Sequence, residues 1–419
     1  MARKKADLIV VYASELLTLA GPPRPRRGAD MRDLAVIEDG AVAVIGGKIA
    51  AAGRTSDIKK QYDCAKKDII DAQGKTVMPG FVDAHTHIIF AGSRERELML
   101  KLEGASYMDI LKSGGGILST VRATRKASVT ELVAQAKARA ARMLLHGTTT
   151  FEVKSGYGLT TRDEMKSLDA ILTMQKICPA DIVPTFMGAH AVPPEFKNAG
   201  DYVDHIIQKM LPLAARKARY CDVFCEEGVF SVEQSKKLLL AAKAAGLGIK
   251  LHADEFADTG GAALAAELGA VSAEHLLHSN ATGIRQMVRK DVIGVLLPVS
   301  AFSMMKGQYA DARMMLAEEL PVALGTDLCP NSWSESMQFV IQLACYKMMM
   351  TPAEAICAST INAAYAIGLG SSVGSLEPGK KADMLIVDAP NHLHIAYRQG
   401  TNHVETVIKD GKVVAGKAY

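Results

Sequence analysis

The 419-residue sequence is poor in aromatic residues, at 5% with a single tryptophan, and its 49 basic and 45 acidic side chains nearly cancel to a net charge of +4. Nucleic-acid binding calls for a basic stripe, and none is present. The basic groups Arg3-Lys4-Lys5 and Arg24, Arg26, Arg27 read as ordinary solvated charge. No run of about 18 apolar residues occurs, so no helix of membrane-spanning type is expected. The first twenty residues have only a short apolar stretch, broken by Ser14 and Glu15, and no secretory cleavage pattern. Seven scattered cysteines without a CxxC pair fit a reducing compartment, the cytoplasm. Phosphate-cradling loops are missing too. There is no GxGxxG after the first strand and no GxxxxGK(S/T), which weighs against an open doubly wound sheet.

What is present is alternation in a chain long enough for a sizeable core. The first ~75 residues hold short β segments: DLIVVYA, then GAVAVIGGKIAAAG turning at Gly46-Gly47, then DIIDAQGKTVMPG, all read as hairpins. The C-terminal stretch repeats the style with ADMLIVDA and VETVIKDGKVVAG, which turns at Asp410-Gly411. Between Val77 and Pro378, eight strand-like runs alternate with helical segments: GFVDAHTH, GTTTFEVKS, DIVPTFMGAH, YCDVFCEE, GIKLHADEF, AVSAEHLL, VIGVLLPVS and PVALGTDL. That number and order predict an α/β fold, a (β/α)8 barrel of TIM type. One helix between the first two runs is well marked, with a capping box at Ser128 and Glu131, the apolar residues Leu132, Val133, Met143 and Leu144, and Gly147 as its stop.

Polar residues cluster where such a barrel opens. His85, His87, His190, His252, His275 and Asp327 all fall at the C-terminal ends of runs, the active face of this architecture. His85 and His87, at i and i+2 on an extended strand, project to one side and can share a metal ion. His252 adds a third nitrogen and Asp327 a carboxylate oxygen, a mixed set suited to Zn²⁺ or Fe²⁺. Glu255, three residues past His252, is placed to carry a proton between water and a leaving nitrogen. His275 is placed to steady an oxyanion. A single metal is expected, because the fourth run has no lysine that could become a bridging carbamate and Lys154 is read as following the second run. Glu226 is the lesser candidate for a bridge.

Several separate motifs then coincide: PGFVDAHTH with FAGSRERE, SYMDILKSGGGILSTV, EVKSGYGL, GAHAVP, LHADEF, AEHL, TINAAYAIG, GSLEPGKKADMLIVD and GTNHVETVIKDGK. Across essentially its whole length the chain resembles the amidohydrolase superfamily, and more closely the imidazolonepropionase family. The resemblance implies hydrolysis of the ring amide of 4-imidazolone-5-propanoate to N-formimidoyl-L-glutamate by a metal-activated water, in histidine degradation. Another cyclic amidohydrolase or a deaminase of the superfamily is the alternative. It implies one metal ion per subunit, Zn²⁺ or iron (Fe²⁺/Fe³⁺), on His85, His87, His252 and Asp327, with Glu255, His275 and Asp327 serving the chemistry. Residues matching Arg94, Tyr107, Tyr157 and His190, together with Glu255, would hold substrate. The implied architecture is a barrel over residues 77–377 and a small β-sandwich made by 1–76 and 378–419. A small-molecule substrate, no nucleic acid or membrane partner, and a homodimer complete the expectation.

The physical reading runs the same way. Arg94, seven residues past His87, offers a forked cation to a propionate, and Tyr157 a hydroxyl donor. The plain alternative for Arg94 is a surface pair with Glu95 or Glu97. Gly114-Gly115-Gly116 suits a pliable loop at the mouth or a plain turn. One departure stands out in Asp327-Leu328-Cys329-Pro330-Asn331-Ser332. Cys329 occupies a position where the family often has asparagine, and a thiol is a poor donor to a carboxylate. Asn331 and Ser332 are the residues that would compensate.

Overall fold

Eight parallel strands stand where the eight apolar runs lie: β1 Phe81–Asp83, β2 Thr148–Lys154, β3 Asp181–Ala189, β4 Tyr220–Cys225, β5 Gly248–Ala253, β6 Ser272–His275, β7 Ile293–Leu296 and β8 Val322–Leu324. The structure is a computed structural model and describes residues 3–104, 109, 115–305 and 307–416. The strands are hydrogen-bonded in sequence order, β1 to β8. The ring closes just past the ends of β1 and β8, where His87 N donates to Leu328 O at 3.0 Å and Asp327 N to His85 O at 3.1 Å. The seam of the barrel therefore carries three of the candidate ligands, His85, His87 and Asp327. Gly325 permits this approach, because a Cβ there would stand 3.1 Å from both the backbone N and the Cβ of His85.

Helices with legible caps cover the outside of the ring. Val129–Leu145 starts at the capping box of Ser128 and Glu131 and buries Leu132, Ala136, Ala140, Met143 and Leu144. Gly147 then turns into β2 with φ +96°, where a Cβ would meet Leu385 and Phe81 within about 3 Å. Equivalent boxes begin Val232–Ala244, at Ser231 and Gln234, and Pro352–Ala358, at Thr351 and Glu354. Each leucine or methionine side chain that these faces bury contributes roughly 1.5–3 kcal/mol.

Both termini build one further sheet, in the order Lys412–Gly416, Val404–Lys409, Met384–Val387, Thr76–Pro79, Leu8–Leu17, Val36–Ile45, Lys48–Arg54. Its tight turns at Gly46-Gly47 and Asp410-Gly411 have two consecutive positive φ angles, as the two-residue hairpin requires. The segment DIIDAQGKTVMPG corrects the hairpin expectation. Ile69–Asp71 and Thr76–Pro79 both run parallel to Leu8–Leu17, with Ile9 opposite Ile69 and Leu16 opposite Val77. The residues between them, with Gly74 at φ +76°, make a kink that resets register along the same partner. Direction is kept because Ile70, Ala72 and Val77 all enter one apolar cluster with Val10 and Leu16.

The two sheets are joined by charge at the barrel floor. Lys409, almost wholly buried, places Nζ 3.0 Å from Asp181 at the start of β3 and 3.1 Å from Asp383, while Lys381 meets the same Asp181 at 2.7 Å. All seven cysteines are free thiols. Among the described residues no helix is long and apolar enough to cross a membrane.

Candidate metal centre

The open end of the barrel gathers imidazoles. His85 and His87 lie just beyond β1, His252 near the end of β5, and His275 ends β6. All four are buried, as is Asp327 beyond β8. The Nε2 atoms of His85 and His87 are 3.1 Å apart, and Asp327 Oδ1 lies 3.5 Å from the first and 3.7 Å from the second. The His252 ring sits 4.6 Å from that of His85 and 5.1 Å from that of His275. Two triads with donor atoms inside 4.8 Å, His85–His87–Asp327 and His85–His252–His275, share His85. Backbone strain accompanies them, with φ +50° at Asp327 and +72° at His275, left-handed values that non-glycine residues seldom adopt.

The electrostatics suit a cation. Burial, then the neighbouring His190, His85 and His252, hold His87 well below the usual imidazole range. Burial and His252 do the same for His275. These rings are neutral and offer lone pairs. Burial opposes ionisation of Asp327, yet the hydrogen bond and charge of His85, with His275 and His252, bring its carboxyl down to about 2. For His85, burial is outweighed by the adjacent Glu274 carboxylate, which lifts the imidazole to about 9 and makes it a more basic donor. Facing nitrogens at 3.1 Å, the neutral ring of His87 and an ionised carboxylate are donors that fit a borderline-soft divalent ion, whose binding would release the proton of His85.

Glu255 follows β5 and places Oε2 3.6 Å from His275 Nε2. Its loop is pinned from two sides. Glu226, buried after β4, accepts the backbone N–H groups of Glu255 and Phe256 at 2.9 Å each. Asp254 accepts from Gly261 N, Ala262 N and Ser279 Oγ. Glu226 is thus engaged with backbone amides.

His190 stacks on His87 with ring centres 4.9 Å apart, and its Nδ1 lies 3.1 Å from Gly156 O, so the N–H is assigned there. Burial and His252 lower this imidazole to about 3. Tyr157 is buried, 5.8 Å from the His87 ring and 5.2 Å from that of His190. Arg94 does pair with Glu97, at 2.7 and 2.9 Å, but the pair is enclosed: the side chains are only 11% and 9% exposed. Cys329 is buried, and burial with the Asp327 charge keeps its thiol protonated. Asn331 Oδ1 accepts from Lys101 at 2.9 Å, and Ser332 Oγ is buried without a partner among the described residues. Tyr107 and Gly114 lie outside the described residues.

Sequence reasoning missed a layer beneath these groups. Lys154 is the last residue of β2 and faces the barrel interior, rather than following the strand. With Glu152, Asp222, Lys250 and Glu274 it forms a fully buried ionic cluster. The signal was available in the alternation of charged residues, Glu152 with Lys154 and Lys250 with His252, inside otherwise apolar parallel strands. Lys101, beside Arg94, was missed as well and had no such signal.

The profile of the Amidohydrolase family matches residues 76–414. The imidazolonepropionase of Alkaliphilus oremlandii is 49% identical over 416 residues, covering 98% of this chain and 98% of the relative. That of Geobacillus kaustophilus is 50% identical over 421 residues, covering 98% and 99%. Among solved structures, an adenosine deaminase from Xanthomonas campestris with bound zinc superposes with a TM-score of 0.73 at 19% identity, covering 100% of this chain and 94% of that one. The guanine deaminase of E. coli superposes at 0.71 and 16%, covering 98% and 99%. These two likenesses establish a shared fold.

Proposed function

Since the chain belongs to the amidohydrolase family and, within it, to the imidazolonepropionases, we propose that His85, His87, His252 and Asp327 hold one divalent ion, zinc or ferrous iron, at the heart of its active site. The chain is a hydrolase of cyclic amide C–N bonds that opens the ring of 4-imidazolone-5-propanoate to N-formimidoyl-L-glutamate, in histidine degradation. The observation that carries the site assignment is the convergence of these four donors and Glu255 at one end of the barrel.

When bound, the ion supplies Lewis-acid polarisation and lowers the pKa of water towards about 7. Glu255 takes the first proton from the attacking water and delivers it to the departing ring nitrogen. His275, a neutral imidazole, steadies the developing oxyanion with its N–H. Asp327 accepts the second hydroxyl proton as the tetrahedral carbon collapses to a carboxylate. Arg94, its fork oriented by Glu97, takes the propionate together with Tyr157. His190 packs against the ring, and Tyr107 joins the substrate set on the resemblance alone. Cys329 lines the position where a donor is wanted, so Asn331 and Ser332 hold the product carboxylate.

One ion per chain is favoured because Lys154 is engaged by three carboxylates and is not free to form a bridging carbamate. We assign residues 77–377 to the barrel and residues 1–76 with 378–419 to a β-sandwich. We place the enzyme in the cytoplasm as a homodimer. The test is metal analysis with a substrate assay. Purified chain should carry one zinc or iron and consume imidazolonepropionate absorbance. A chain that stays inactive on this compound with the ion bound, but hydrolyses or deaminates another cyclic amide or amidine, overturns the substrate.

A further inference from the structure

Five charged side chains with no solvent exposure lie in one layer under the histidines: Glu152 and Lys154 of β2, Asp222 of β4, Lys250 of β5 and Glu274 of β6. Lys154 Nζ stands 2.8 Å from Glu152 Oε2, 2.7 Å from Asp222 Oδ2 and 2.9 Å from Glu274 Oε2. Lys250 Nζ is 2.9 Å from Glu152 Oε1 and 3.3 Å from Glu274 Oε1. Two of these carboxylates reach upward with the same oxygens that Lys154 holds. Glu274 Oε2 lies against His85 Nδ1, and Asp222 Oδ2 is 3.1 Å from His252 Nδ1. Asp222 Oδ1 also accepts the backbone N–H of His252 at 3.1 Å. One ammonium thus fastens the partners of two rings that come from opposite parts of the barrel wall, β1 and β5.

Stability does not account for such a layer. Removing five charges from water costs more than their mutual attraction reliably returns, and apolar side chains of similar volume fill barrel interiors at no such cost. Three carboxylates against two ammoniums also leave one negative charge over, directly beneath the rings. A carboxylate on Nδ1 fixes the tautomer and orientation of a histidine and turns Nε2 toward a ligand.

We infer that Lys154 is a positioning residue of the metal centre, which through Asp222 and Glu274 sets the His252 and His85 rings so that both present Nε2 to one ion. This inference rests on the proposed ligand set. Its test compares the wild-type chain with Lys154→Met, nearly the same length without the charge, using Zn²⁺ affinity by chelator competition and the visible spectrum of the Co²⁺-loaded protein. Zn²⁺ binding should weaken by about 10- to 100-fold and the Co²⁺ bands should shift, with the far-ultraviolet circular dichroism unchanged. Unchanged affinity and spectrum overturn the proposal. If Lys154→Met does not fold, Lys154→Met/Glu152→Gln, which removes one charge of each sign, takes its place under the same expectation. Loss of the fold in both variants overturns the proposal too, since the lysine is then a requirement of the barrel. A His252→Asn control separates the two levels: if it binds Zn²⁺ as tightly as wild type, the ligand set itself is wrong.

Discussion

Lysine is buried among carboxylates at both ends of the barrel, in different company. At the floor, Lys409 joins Asp181 of the barrel to Asp383 and Asp410 of the terminal sheet, and the side chains of Asp181 and Asp410 remain 28% and 49% exposed. Water reaches this cluster only at Asp181 and Asp410, while Lys409 and Asp383 are themselves buried, and its effect is adhesion between two sheets. Beneath the mouth, Lys154 and its three carboxylates are wholly enclosed and abut histidines. An enclosed charge layer is a poor source of stability and a good scaffold for orienting ligands. The contrast predicts that perturbing the mouth changes chemistry and perturbing the floor changes stability.

The largest effect is expected for His252→Asn, which removes a donor nitrogen. Metal content should fall to background by elemental analysis and turnover with it, while the thermal midpoint of the metal-free chain stays near wild type. Arg94→Lys exchanges the fork for a point charge, and KM should rise about tenfold with kcat nearly constant. A fall in kcat at unchanged KM would instead assign Arg94 to the reaction step. At the floor, Lys409→Met leaves buried Asp383 short of a cation and should cost about 2 kcal/mol in urea unfolding, with kcat, KM and metal content unmoved. If it alters metal content, the two ends are coupled and the contrast fails.

The smallest effect concerns Glu354, where pH is the probe. Burial disfavours its ionisation, but hydrogen bonds from Arg313, the Thr351 backbone and Arg32 bring the carboxyl from the ordinary 4.5 to about 2. A lowered folded-state pKa contributes stability that is present above about 4.5 and lost as pH falls through about 2. Glu354→Gln should therefore be less stable than wild type at pH 7 by roughly 1 kcal/mol, with the gap closing between pH 4.5 and 2. A gap that is constant across this range would mean that charge on Glu354 contributes nothing.

The barrel was legible because its strands are local apolar runs and its active face follows from their direction. Hence His85, His87, His252, His275, Asp327 and Glu255 could be named from position in a run. The charge layer was not legible in the same way. Lys154 and Asp222 are 68 positions apart on strands separated by β3, and only the closed barrel, which brings both side chains into one interior layer, shows that each serves the other. A charged pair at i and i+2 in a strand buried on both faces was still a visible anomaly. The same logic explains the misread segment around Gly74. Whether two short strands form a hairpin or follow one another along a third depends on a partner sixty residues away. Arg94 illustrates an intermediate case, since Glu97 was foreseeable as its partner but the enclosure of the pair was not.

The most direct measurement of the central claim is the metal content and turnover of Glu255→Gln on imidazolonepropionate. A one-ion hydrolytic site with Glu255 as proton carrier predicts one zinc or iron per chain, as in wild type, and a kcat lower by about 10²- to 10⁴-fold. Turnover at the wild-type rate with the ion in place would contradict it.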